Sequence, residues 1–340
     1  MIDDKGFVKD EPIRSLEGSG SERKGRLQEK EPDAHLLGGS PAPGAEPERP
    51  RGERFPSVTD GLIVVGIFVL AGLLIPVLVG GVYAAILMMK GAPFAQATSE
   101  VYASLHNGAA MALSYLLQFL VLIVLTLRLR RRRGETDNAT LLRFSMRRFN
   151  PALLLWGVVL LFSIELLIEP LLSVFPDKYI EMIESAVSTS GWGIFTGVLL
   201  APVLEETFFR GVLLESLRRK SGPVRGVLLS AAAFGLMHII PQQVISGFFA
   251  GIVLGYVYLR TGSLVPVILL HAINNCAAVV LSATGLGSDA TLADLLGKGT
   301  LYYAVYLLCA VVCVMSAVMM NRSLKVAQQA DSSGENAGRE

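Results

Sequence analysis

Two adjacent acids, Glu205 and Glu206, stand inside an otherwise apolar run, residues 193–214, with Arg210 one helical turn further on. An ionised carboxylate at the centre of a bilayer costs about 2.5 to 3.5 kcal/mol on insertion scales, so acids kept at such a depth point to use. Residues four apart on a helix share a face, which lets Glu206 and Arg210 pair, neutralise one acid and tie their helix to its neighbours. Glu205, turned by about 100° from Glu206, is left to face a cavity. The spacing therefore assigns Glu206 and Arg210 as scaffold and Glu205 as the working carboxylate. The competing reading is a single buried ion network without chemistry. Later apolar runs weigh against it, because Phe234 and His238 repeat the four-residue spacing, as do His271 and Asn275, with Asn274 adjacent. One membrane histidine is ordinarily an interhelical hydrogen bonder. Two of them, with an asparagine and a carboxylate pair, suit a site better.

Such groups need helices to carry them, and the composition supplies these. The chain has 340 residues, 52% hydrophobic and 17% charged, with a net charge of +1, and its mean hydropathy is +0.51. These values exclude an ordinary soluble protein and predict an all-α, polytopic helical membrane protein. They give no electrostatic ground for a nucleic-acid partner. Cys276, Cys309 and Cys313 lie in apolar stretches and read as small packing side chains, with no disulfide framework.

Apolar runs long enough to span the hydrocarbon core occur at 62–89, 106–127, 151–175, 193–214, 226–240, 244–259, 264–281 and 301–320, so about eight transmembrane helices are expected. The fifth and sixth are short and are divided by Pro241-Gln242-Gln243, which predicts a tight turn or a tilted or re-entrant element. The domain reading has five parts: a disordered N-terminal tail over 1–58, three helices over 59–185, a catalytic membrane core over 186–285, a last helix over 286–321, and a disordered tail over 322–340. With no apolar run near Met1, no cleavable signal peptide is predicted, and the first apolar segment serves as an uncleaved anchor. The loops after the second, fourth, sixth and eighth segments carry the basic residues, among them Arg128 to Arg133, Arg143, Arg147, Arg148, Arg218, Arg219, Lys220, Arg225, Arg260, Arg322 and Lys325. The alternate loops hold Lys90, then Asp177, Lys178, Glu181 and Glu184, then Asp289, Asp294 and Lys298. Positive charge stays on the cytoplasmic side, which places both termini there and makes anionic lipid headgroups natural neighbours of these loops.

Depth brings the chemical residues to one level. At about 1.5 Å of rise per residue, Glu205 lies roughly 15 Å inside the loop that begins at Glu215, and His238 roughly 20 Å from Arg225. On the same scale, His271 and Asn275 lie roughly 16 and 22 Å from Arg260.

Glu205-Glu206-Thr207-Phe208-Phe209-Arg210 fits EExxxR, Phe234 to His238 fits FxxxH, and His271 to Asn275 fits HxxxN. In that order, each inside an apolar segment, they resemble the CAAX-protease and bacteriocin-processing (CPBP, or Abi) family over about 190–285. That family includes the type II CAAX prenyl endopeptidases and many prokaryotic intramembrane proteases. The resemblance implies a CAAX-protease-like core, an intramembrane endopeptidase in a prokaryotic cell membrane, and a membrane-associated, lipidated peptide or protein as substrate. It also implies that Glu205 and His238 activate a water, a contribution of roughly 10²- to 10⁴-fold. His271 and Asn275 would then form an oxyanion hole, each donor giving on the order of 10²-fold. Family members are also described as metalloproteases, for which Glu205, His238 and His271 would be three zinc ligands and leave room for water. The helical HExxH signature is absent and Arg210 opposes a cation, so metal-free catalysis is favoured and no cofactor is expected. Two other functions compete. One is a proton- or ion-coupled transporter, for which Glu165 and Glu169 add an acid pair but no repeat relates the two halves. The other is a non-catalytic immunity or scaffold protein.

Overall fold

The computed structural model describes residues 55–135, 142–146, 149–175, 190–284 and 291–337. Nearly all of the expected N-terminal tail lies outside these residues, as do Arg147, Arg148, Asp177, Lys178, Glu181, Glu184 and Asp289. Every regular element among the described residues is helical. In chain order they are α1 (Val58–Met89), α2 (Phe94–Asn107), α3 (Ala109–Arg132), α4 (Pro151–Leu172), α5 (191–221), α6 (Pro223–Leu236), α7 (Pro241–Thr261), α8 (Leu264–Thr284), α9 (Leu292–Leu296) and α10 (Thr300–Ala337).

Six of these, α1, α3, α4, α7, α8 and α10, are long and apolar enough to cross a membrane, and together they make an integral membrane protein. The expected count of eight is corrected at two places. The run at 193–214 lies in α5, which alternates α-helical stretches (Gly191–Ile194, Ala201–Glu206, Glu215–Ser221) with π-helical ones (Phe195–Leu200, Thr207–Leu214). The run at 226–240 ends early as α6, because Met237 to Ile240 form a turn in which Ile239 takes a positive φ of 66°. Pro241, which has no N–H to donate, then opens α7 at its first position. At the C-terminus α10 continues to Ala337, through most of the stretch expected as a tail. Leu324 and Ala327 bury one face of this extension. Gln328 also donates to the Arg260 carbonyl at 2.8 Å and accepts from Arg260 Nη2 at 3.1 Å.

Basic residues cluster where helix ends meet. Ser57 caps α1 in a reciprocal pair with Asp60, and Asp60 Oδ1 also accepts from Arg133, just past the end of α3, at 2.9 Å. Lys220, near the end of α5, donates to the Pro56 carbonyl at 2.8 Å. The start of α1 and the ends of α3 and α5 are therefore at one level, and α1 and α3 run in opposite directions.

Two apolar clusters fill the interior. One gathers Leu153 and Leu160 of α4, Leu254 and Val257 of α7, Leu270 of α8 and Leu324 of α10. The other gathers Val64 of α1, Phe119 and Leu122 of α3, Phe208 and Phe209 of α5 and Phe234 of α6. Helix α5 contributes to both, through Leu214 to the first and its phenylalanines to the second, which fixes the rotation of the helix that carries the acids. Helices α6 and α7 form a close hairpin. Gly247, Gly251 and Gly255 make a four-residue stripe along α7, and a Cβ at Gly251 would meet Ala231 at 2.9 Å. Small residues let helix backbones approach in a setting where water does not drive association.

Candidate active site

The acids lie where α5 changes its winding. Glu205 and Glu206 close the α-helical stretch Ala201–Glu206, and Arg210 lies in the π-helical stretch that follows. Glu206 Oε1 accepts from Arg210 Nη1 at 2.8 Å and from His271 Nδ1 of α8, also at 2.8 Å. Arg210 Nη2 donates to the Gly251 carbonyl of α7 at 3.2 Å, and its guanidinium carbon stands 4.5 Å over the Phe234 ring of α6. Glu206 and Arg210 are completely buried. Removing two charges from water is costly, and their mutual attraction offsets that cost only when further partners satisfy the remaining groups. Here the imidazole, the carbonyl and the ring face supply them, and one pair ties four helices together.

Glu205 Oε1 accepts from the Tyr115 hydroxyl of α3. Its Oε2 is buried without a hydrogen-bond partner among the described residues and stands 3.8 Å from His271 Nε2. A carboxylate oxygen only accepts, so the Nδ1 that contacts Glu206 carries the ring hydrogen of neutral His271, and its Nε2 turns a lone pair toward Glu205. The same reasoning applies to His238, whose Nδ1 donates to the Phe234 carbonyl at 2.9 Å. Asn275 Nδ2 donates to the Gly197 carbonyl at 2.9 Å, leaving its second N–H and its carbonyl oxygen. Phe234 stands edge-on to Phe209, His238 and His271, with centroids 5.2, 5.2 and 5.5 Å away, and holds the imidazoles apart.

A cavity of about 590 Å³ opens beside this group, lined by Tyr115, Phe234, His238, His271, Asn274 and Asn275. Glu165, Gln242, Gln243 and Ser246 form another part of its wall.

Of the residues singled out by spacing, Glu206, Arg210 and His271 are in direct contact, Glu205 faces His271, and His238 and Asn275 line the shared cavity. The division of labour differs from the expected one. His271, not His238, stands between the glutamates, and its donating nitrogen is taken by Glu206 instead of being free for an oxyanion. Tyr115 was not anticipated. Its signal was a polar-tipped ring and Gln118 within one turn of each other in an apolar helix. The metal alternative meets a misfit of geometry. Among the described residues no three His, Cys, Asp or Glu side chains are gathered to hold an ion. His271, one of the three expected zinc ligands, is bonded to the carboxylate that pairs with Arg210.

Residues 187–277 match the family model described as type II CAAX prenyl endopeptidase Rce1-like. No curated protein and no solved structure gave a match.

Proposed function

We propose that this chain, whose residues 187–277 form a domain of the CAAX-protease (CPBP) family, is an intramembrane endopeptidase that works without a metal. Its substrate is a membrane-associated peptide or protein of the lipidated, CAAX-like class. The observation that carries the reading is the 3.8 Å approach of Glu205 Oε2 to His271 Nε2. With the carboxylate ionised and the ring neutral, both atoms accept hydrogen bonds, so they repel one another until a donor of two hydrogens comes between them. Water is such a donor, and the lone pairs it keeps can then be presented to a carbonyl carbon in the adjoining cavity.

The reaction follows from these placements. The water oxygen bonds to the scissile carbonyl carbon while one of its protons passes to Glu205 Oε2, a general-base contribution of roughly 10²- to 10⁴-fold. The oxyanion takes the free N–H of Asn275. The C–N bond breaks as Glu205 returns the proton to the leaving amine, and an acid and an amine are formed. His238 turns Nε2 to the cavity and accepts from a substrate N–H. Tyr115 holds Glu205 by its other oxygen, so Oε2 keeps its aim. Arg210 keeps Glu206 charged, and Glu206 keeps the His271 ring turned. The helix ends that gather Arg133 and Lys220 face the cytoplasm in this reading, with both termini on that side.

Peptide termini sequenced from membranes of cells carrying the intact chain or Glu205→Ala test the reading. A set of termini present with the first and missing with the second, at equal protein levels, is expected. Identical sets sink it. Activity of the purified protein is expected to survive exhaustive chelation, and activity lost to chelation and restored by zinc would overturn the metal-free mechanism.

A further inference from the structure

The mechanism uses one part of the cavity wall and leaves another idle. There, Glu165 of α4 meets the first two turns of α7, where Ser246 Oγ donates to Glu165 Oε2 at 2.9 Å. Gln242 is 6% exposed, and both its amide nitrogen and its amide oxygen are buried without a hydrogen-bond partner among the described residues. Both residues line the cavity, together with Gln243. Among the described residues no lysine or arginine lines it.

Three physical pressures meet there. A carboxylate inside an apolar helix is costly unless something of opposite charge answers it, and such groups ordinarily face a pathway or a partner. The amide end of α7 favours the ionised form of an acid beside its first turn, which keeps the charge instead of quenching it. A buried primary amide with both ends unmet carries the full penalty of desolvation, relieved only when a group that both donates and accepts arrives. A peptide backbone does that for Gln242, and a basic side chain does it for Glu165.

We propose that Glu165, Ser246 and Gln242 form a substrate subsite that selects a peptide segment bearing a lysine or arginine. Glu165 pairs with the cationic side chain, Ser246 fixes the carboxylate, and the Gln242 amide bonds the backbone of the same segment. The assignment deepens the endopeptidase reading, since it places the subsite in the cavity that holds His238, His271 and Asn275.

The test uses the full-length protein in lipid nanodiscs and apolar peptides that differ only by lysine or norleucine at one position, scanned along the peptide. At one position the wild type is expected to favour lysine in kcat/KM by roughly 10- to 100-fold, the range for a hydrogen bond to a charged group. Glu165→Gln collapses that ratio toward one, and Glu165→Lys turns the preference toward a glutamate peptide. A ratio near one at every position in the wild type, or a ratio that Glu165→Gln leaves intact, overturns the subsite. Binding of the lysine peptide to Glu205→Gln protein, by fluorescence anisotropy, separates the two readings. If nothing is cleaved yet the lysine peptide binds more tightly than norleucine and loses that advantage with Glu165→Gln, the hydrolase fails and the subsite stands. Cleavage without lysine preference gives the reverse. Gln242→Leu, which leaves the carboxylate in place, is expected to raise KM for lysine and norleucine peptides alike. An unchanged KM removes Gln242 from the subsite.

Discussion

The Glu206–Arg210 pair and the Asp60–Arg133 pair have almost the same nitrogen-to-oxygen distance, 2.8 and 2.9 Å, yet they hold different things. Asp60 has a second partner in Ser57, and Arg133 keeps about a third of its side chain exposed, so either member can find other company when the pair breaks. Glu206 and Arg210 have no exposed surface, and the bonds around them reach α6, α7 and α8 as well as α5. Distance alone does not rank an ion pair. Its weight is set by what each partner would be left with once the other is gone, which at a helix end is water or a headgroup and in the centre of the bundle is apolar side chains. The helices themselves repeat the contrast. Of the most apolar stretch of α7, 44% is buried, and of that of α1 only 6%. The first is shaped by its neighbours and the second chiefly by its solvent.

Glu206→Ala is the largest expected break in that comparison. It strands the Arg210 guanidinium and unties His271, which should cost about 3–5 kcal/mol, the range for removing one partner of a buried pair, and should abolish cleavage. Thermal unfolding in detergent measures it, and a melting point equal to the wild type's would make the two pairs equivalent. Gly251→Val comes next, at about 2 kcal/mol, because the added carbons drive α6 and α7 apart at their closest approach and move the carbonyl that receives Arg210. A shift confined to activity, with no loss of stability, would contradict that account. Tyr115→Phe should lower cleavage about 10-fold with little change in melting, since it removes only a hydrogen bond to the working carboxylate. A drop of similar size in stability would recast Tyr115 as structural. Arg133→Ala should cost about 0.5 kcal/mol and leave cleavage unchanged, as measured by the same two assays. A loss like that of Glu206→Ala would erase the distinction between helix end and centre.

Part of this arrangement is written in the sequence at a range of four residues. Glu206 and Arg210 meet as their spacing requires, and the helices that carry His238 and His271 are marked by apolar runs. What the spacing does not encode is the mutual rotation of helices far apart in the chain. That rotation decides which imidazole nitrogen meets which carboxylate, and so it places His271 rather than His238 beside Glu205. Tyr115 is hidden for a related reason. A single tyrosine in an apolar span is ordinary, and only the approach of α3 to α5 makes it a partner. The span count fails where winding changes, because hydropathy reads composition and is blind to whether a turn closes over four residues or five. The C-terminal extension of α10 reads as a tail since most of its residues are polar. Its order comes from Leu324 and Ala327, three apart on one face, and from the Arg260 contacts supplied by another helix.

Because Phe195–Leu200 and Thr207–Leu214 wind as π-helix, each holds its place by chain length more than by side-chain identity. Losing one residue from either stretch would let ordinary winding resume and swing everything downstream by about 100° around the axis. Arg210 or Leu214 would then face the wrong neighbours with no substitution having occurred. Over evolutionary time this part of the chain should accept exchanges of one amino acid for another while refusing insertions and deletions, the opposite of what surface loops permit.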